Sequence, residues 1–230
     1  AEFAVVAEGL TKRFGFVYAV RELSLSLPRS NVLLVIGPNG SGKTTLLRLL
    51  ATALVPTTGR ASIFSADLIR EPDAVRRIAA FVAAAPGLYD GLTARENLAF
   101  AAAMSGVRGE PLEWLERAGL APMADDPVRT FSQGMKRRLA LVRAWMRAPK
   151  LLLLDEPFSG LDADGVHLVE ALIADVKSRD GSVIICTHEW ERGMRLADLM
   201  MTLAGGRVAE VSAVHVPAPR SEFMTAGGHR

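Results

Sequence analysis

Residues 32–50 read VLLVIGPNGSGKTTLLRLL. Val32–Ile36 is an unbroken apolar run, the pattern of a strand buried on both faces of a parallel sheet. It ends at Gly37. Leucines at 46, 47, 50 and 54 follow with helical spacing, which predicts a helix over 42–54 that stops before Pro56. Between strand and helix lies GPNGSGKTT (37–45), which fits the spacing G-x-x-x-x-G-K-[ST]. Its glycines let backbone N–H groups curl around phosphate oxygens, a concave anion nest at a helix N-terminus. Lys43 brings a point charge to β- and γ-phosphates, and Thr44 a hydroxyl to Mg²⁺. A chance glycine-rich turn would lack the strand before it and the helix after it. Gly37, Pro38, Asn39, Gly40, Ser41, Gly42, Lys43, Thr44 and Thr45 therefore read as a phosphate-binding loop.

Such a loop needs an acid at the end of another strand, and LLLLDE (151–156) supplies it. Asp155 would reach Mg²⁺ through water, and Glu156 would orient or deprotonate an attacking water. The competing reading of the pair is a helix-capping acidic dipeptide. Val183–Thr187 is a third buried strand, ending at His188, and Val166–Val176 reads as a helix. Leu23, Leu25 and Leu27 alternate with serines, as in a half-buried antiparallel strand, and 202–211 reads as a hairpin around Gly205-Gly206. The fold class is thus α/β: a mainly parallel sheet covered on both faces, with an N-terminal antiparallel β part. From about Pro86 to Pro149 no strong strand pattern occurs. Thr93–Glu96 is a capping box, and Ser132 can cap a helix whose stripe is Met135, Leu139, Val142 and Met146. The expected organisation is a core of 1–85 and 150–211, an inserted helical lobe of 86–149, and a loosely held tail, 212–230.

Composition narrows the function classes. Of 230 residues half are hydrophobic and 23% are charged, as in ordinary globular proteins. A net charge of +2 leaves no footprint for nucleic acid. The one cysteine, Cys186, excludes an internal disulfide framework and suits a reducing compartment. The longest apolar runs, VLLVI and LLLL, are far short of the roughly 20 residues that span a bilayer, and AEFAVVAEGL shows no secretory pattern. Lys136, Arg137 and Arg138 read as a solvated helix face, and Trp114, Trp145 and Trp190 as packing aromatics. His167 reads as surface, His215 and His229 lie in the tail, and no Cys/His spacing suggests zinc.

Six motifs in order, TKRFG (11–15), GPNGSGKTT (37–45), FSQGM (131–135), LLLLDEP (151–157), SGLD (159–162) and TH (187–188), resemble the ATP-binding subunit of ABC transporters. The resemblance covers about residues 4–211 and implies a P-loop NTPase core that uses ATP and Mg²⁺. It also implies that Phe14 stacks on adenine, where the residues alone allow a core aromatic. Ser132, Gln133 and Gly134 would close over the γ-phosphate of a second subunit, where Ser132 by itself could also be an ordinary N-cap. Asp162 would cross the dimer interface, or else simply cap a helix, and His188 would contact the γ-phosphate. The partners implied are transmembrane permease subunits and a second copy of the chain or a homologous ATPase, head to tail at the cytoplasmic face of the membrane. VRTFSQGMKRRL resembles the drug, polysaccharide and haem exporter branch. Two other readings stand beside the motor: a soluble ABC-type ATPase acting on DNA or ribosomes, and a non-hydrolysing nucleotide-gated module.

The chain departs from the family at FVAAAPG (81–87). The family's pattern places a glutamine at Ala84, or at Ala85 if the loop shifts by one, and neither alanine can touch a metal. The resemblance therefore implies slower or less metal-ordered hydrolysis, and coupling to a partner through the backbone of Pro86–Leu92. Lys43, Asp155, Glu156 and His188 are all present, which speaks against a decayed enzyme.

Overall fold

The computed structural model describes residues 2–214. Two sheets organise it. The first is antiparallel, in the order β2-β1-β4-β5, from β1 (Phe3–Phe14), β2 (Val17–Pro28), β4 (Thr58–Ile63) and β5 (Ala66–Asp67). The second has six strands in the order β10-β9-β3-β8-β7-β6. Here β3 (Val32–Ile36), β6 (Ala79–Val82), β7 (Leu151–Asp155), β8 (Ser182–Cys186) and β9 (Leu199–Ala204) run parallel, and β10 (Arg207–Ala213) closes the edge antiparallel to β9.

The continuous apolar runs follow from burial on both faces. Side chains alternate across a strand, so Leu33, Val35, Leu151, Leu153 and Ile184 join one core with Leu10, Leu23, Leu25, Leu27 and Leu46. Leu34, Leu152, Leu154, Val183 and Ile185 join the other core. That second core is roofed by α5 (Gln133–Trp145) and α6 (Ala163–Ser178). The first core holds α1 (Lys43–Leu50) between the sheets.

Two helix bounds differ from the pattern. α1 ends at Leu50, not Leu54, because the Ala53 and Leu54 N–H groups both return to the Arg48 carbonyl while Thr52 takes φ 58°. Leu54 still packs on the core from this turn. α6 begins at Ala163, ahead of Val166, because Asp162 accepts the Gly165 N–H at 2.9 Å.

α2 (Pro72–Ile78) leads into β6, and the chain between β6 and β7 carries α3 (Ala94–Ser105), α4 (Pro111–Arg117) and α5. Both bonds of the capping box are made: Glu96 N–H to Thr93 Oγ1, and Thr93 N–H to Glu96 Oε2. Trp114 and Trp145 pack at 6.1 Å with the Arg117 guanidinium over both rings, and Trp145 Nε1 donates to Asp175 at 2.9 Å. Trp190 is not a packing aromatic. It opens α7 (Trp190–Leu196), a short helix, and is 59% exposed. His167 is exposed on α6. The β9–β10 hairpin forms as expected but runs on to Ala213, and the Val214 N–H bonds the Asp198 carbonyl. Residues 212–214 are thus ordered, and the rest of the expected tail, with His215 and His229, lies outside the described residues. Among the described residues no helix is long and apolar enough to cross a membrane.

Candidate functional site

The phosphate loop sits where β3 ends, at the C-terminal edge of the parallel sheet. Two of its glycines are fixed by neighbouring backbone. A Cβ on Gly37 (φ 151°) would lie 2.2 Å from the Leu203 carbonyl oxygen, and one on Gly42 (φ 104°) 2.1 Å from that of Ala19. The loop is therefore squeezed between β9 and β2, and its shape is built before any ligand arrives. The Lys43 ammonium turns back to the carbonyls of Gly37 (2.7 Å) and Pro38 (3.0 Å). The Ser41 hydroxyl oxygen is buried without a hydrogen-bond partner. An unpaired buried hydroxyl is costly, and a ligand in the loop would satisfy it.

A cleft of about 370 Å³ opens over the loop, lined by Phe14, Ala19, Asn39–Thr45, Asp155 and Glu156. Phe14 is half exposed and presents its ring beside the Lys12 ammonium, 5.2 Å from the ring centroid. The buried-core reading of Phe14 is thereby excluded. Thr44 Oγ1 donates to Asp155 Oδ2 at 2.8 Å. Both are hard oxygen donors of the kind Mg²⁺ prefers, Thr44 within direct reach of an ion in the cleft and Asp155 through a water. The donor set fits Mg²⁺ on its chemistry.

Burial pushes the Asp155 carboxyl above its ordinary pKa, opposed by the Thr44 hydrogen bond and helped by the charge of Glu156. A raised carboxylate contributes stability below its ordinary pKa and loses it as pH rises through the raised value. At neutral pH the bare ionised Asp155 thus works against the fold. Asp155→Asn is expected to raise the melting temperature of nucleotide-free protein by a few degrees at pH 7.5. It should also weaken the Mg²⁺ dependence of ATP binding about 10- to 100-fold. Calorimetry with and without chelator reads both.

Glu156 follows with φ 50°, a conformation uncommon for a side chain of this kind. Its N–H is tied to the Cys186 carbonyl. Its Oε2 accepts from Thr187 Oγ1 (3.0 Å) and from the His188 N–H (3.2 Å), and His188 Nδ1 lies 2.9 Å away. One carboxylate oxygen is anchored by β8's continuation. Glu156 and His188, 32 residues apart, are thus brought together. Thr187 is 2% exposed and orients Glu156, a role the sequence reading left unassigned although TH stood among its motifs.

Ser132 Oγ accepts the Met135 N–H, and Ser132 and Gln133 are exposed at the start of α5. A Cβ on Gly134 would meet the Gly160 carbonyl at 2.9 Å, so α5 packs on the SGLD turn. Asp162 caps α6 and lies 3.8 Å from Arg138. None of Ser132, Gln133, Gly134 and Asp162 lines the cleft of their own chain.

The solvated-face reading of residues 136–138 fails for Arg137. It is 6% exposed and donates from Nη1 to the Ala83 carbonyl at 2.8 Å. Arg143 donates to the carbonyls of Gly87 (2.7 Å) and Pro86 (2.8 Å), and Lys136 to Asp90 (2.7 Å). Ala84 and Ala85 themselves are exposed.

A model of the ABC transporter family matches residues 20–159. The chain belongs to the ABC transporter family. It is 34% identical over 210 residues to the daunorubicin/doxorubicin resistance ATP-binding protein DrrA of Streptomyces peucetius, covering 89% of this chain and 64% of that one. It thus spans less than two thirds of that relative's length. It is 38% identical over 184 residues to the cytochrome c biogenesis ATP-binding export protein CcmA of Pseudomonas putida, covering 79% of this chain and 88% of that one. A dimeric ATP-binding cassette in a post-hydrolysis state, bound to ADP and Pi, superposes with a TM-score of 0.82 at 25% identity over 92% of this chain and 99% of that one. The α/β fold is the ABC ATPase fold, and the expectation of an ABC ATP-binding subunit is borne out.

Proposed function

We propose that this ABC subunit hydrolyses ATP to ADP and phosphate and that dimer closure and reopening drive a separate transmembrane permease, in the direction of export. The observation that carries the reading is the line Thr44–Asp155, Glu156–Thr187 and Glu156–His188 at the mouth of a preformed phosphate loop. Phe14 offers a face to the base, and the loop N–H groups and Lys43 hold the phosphates. Mg²⁺, held by Thr44 and through water by Asp155, supplies charge to the β- and γ-oxygens when bound. Glu156, fixed at one oxygen, keeps the other to accept a proton from the attacking water. His188, exposed beside it, donates toward the γ-phosphate. Ser132 and Gln133 face outward and reach the nucleotide of a second subunit, and Asp162 crosses the dimer interface beside them, which explains why they stay clear of their own cleft.

Tyr89, Phe100 and Met104 are exposed apolar side chains beside Phe81 at a groove of about 310 Å³. A permease segment would dock there, against the loop that follows β6, placing the subunit at the cytoplasmic face of the membrane. Relatives named for drug resistance and for cytochrome c export support the direction. The test is MgATP turnover per subunit against protein concentration. Two chains sharing each site require specific activity to rise with concentration until the dimer saturates. Flat, negligible turnover at every concentration would favour the nucleotide-gated module instead.

A further inference from the structure

The loop 83–87 has only small or apolar side chains, yet three of its carbonyls are held by guanidinium groups of α5, one buried (Arg137) and one half-buried (Arg143). Arg137 takes Ala83, and Arg143 takes Pro86 and Gly87. The sheet register gives the first contact its meaning. Val82 pairs with Leu154 as the last pair of the parallel β6–β7 ladder, so Ala83 leaves β6 one residue past that pair, as Asp155 follows Leu154 on β7. A guanidinium bonded to the Ala83 carbonyl thus stands at the end of β7 where Asp155 and Glu156 emerge. Burial lowers the Arg137 pKa while the charges of Asp155 and Glu156 raise it, as expected of a cation desolvated beside two acids. Arg143, by contrast, sits further along α5, bonded where the loop has left the sheet edge.

We propose that Arg137 is a positioning residue for hydrolysis: it carries a fixed positive charge from the helix that begins at Ser132 to the Asp155–Glu156 pair, anchored there by the Ala83 carbonyl. Two adjacent carboxylates repel, and a rigid cation between them and the helical segment offsets that repulsion. Because α5 is one continuous helix, the place of Ser132 and the place of this charge are mechanically one variable. ATP at the partner's signature face and the acids of this chain are thereby linked through Arg137, without any side chain at position 84. The inference rests on the ATPase reading above.

The experiment compares Arg137→Met, Arg137→Lys and Arg143→Met in the full chain. Hydrogen exchange without nucleotide or metal should show faster uptake over 83–89 in both methionine variants, since each frees the loop. Turnover should separate them. Arg137→Met is expected to lower kcat about 10- to 100-fold, the usual cost of losing a group that orients site residues, with KM for ATP within threefold. Arg137→Lys should recover most of the loss, and Arg143→Met should stay within threefold of wild type. Equal kcat losses in the two methionine variants would assign the effect to loop order and overturn the proposal, as would no loss in Arg137→Met. A wild type without turnover at any concentration would instead overturn the ATPase reading, and this inference with it.

Discussion

Glu156→Gln is expected to stop steady-state MgATP turnover, lowering kcat by about 10²–10⁴, the range spanned by a positioned general base. The argument is geometric. The amide keeps the shape of the side chain and retains an oxygen to accept from Thr187 Oγ1 and the His188 N–H, so the strained backbone at φ 50° need not relax. What disappears is the charge and the lone pair that takes the proton of water. Nothing that holds the nucleotide changes: Phe14, the loop N–H groups, Lys43 and the Thr44–Asp155 pair are untouched. ATP affinity measured by calorimetry should therefore stay within threefold of wild type. Unhydrolysed ATP should also leave the dimer closed, so sedimentation in MgATP should show a dimer at concentrations where the wild type is monomeric. Turnover retained in Glu156→Gln would move the base elsewhere and remove the role assigned to this carboxylate.

What could be read from the sequence depended on how local the physics was. A strand buried on both faces has no choice but an unbroken apolar run, so β3, β7 and β8 were legible, and with them the positions of the phosphate loop, Asp155, Glu156 and His188. Caps are local too, and Thr93, Ser132 and Asp162 all make the bonds their spacing implies. β6 was not legible, because AAFV is short and half alanine, and only its register on β7 makes it a strand. Arg137 was misread for a related reason. A charged residue in a polar run reads as solvent-facing, and nothing local says that an alanine-rich loop will come close enough to bury it. The bond that holds it runs to the Ala83 backbone carbonyl, an acceptor that every residue carries and that no sequence pattern marks. Trp190 shows the converse. Its hydrophobicity suggests packing, but in this seven-residue helix it is Gly193, Met194 and Leu196 that turn to the core, and Trp190 at its first position stays exposed.

Ser132→Asp is expected to abolish turnover while leaving the chain folded and its own ATP affinity within threefold. Aspartate is as good an N-cap as serine, so the Met135 N–H keeps an acceptor and α5 keeps its first turn. The substitution adds a negative charge at an exposed helix N-terminus that, in the head-to-tail dimer, approaches the partner's γ-phosphate. Like charges opposed across an interface cost several kcal/mol, which places the loss at about 100-fold or more. Lys43→Ala should fail for a different reason, by losing phosphate affinity in its own loop. Mixing the two inactive proteins then decides the geometry. In a mixed dimer one site combines the intact phosphate loop of the Ser132→Asp chain with the intact signature of the Lys43→Ala chain, and the other site is doubly broken. Activity should therefore reappear on mixing and peak near equal proportions. If it stays absent across all proportions, while both proteins still dimerise, Ser132 does not act on the partner's nucleotide, and the outward placement of Ser132, Gln133 and Asp162 needs another explanation.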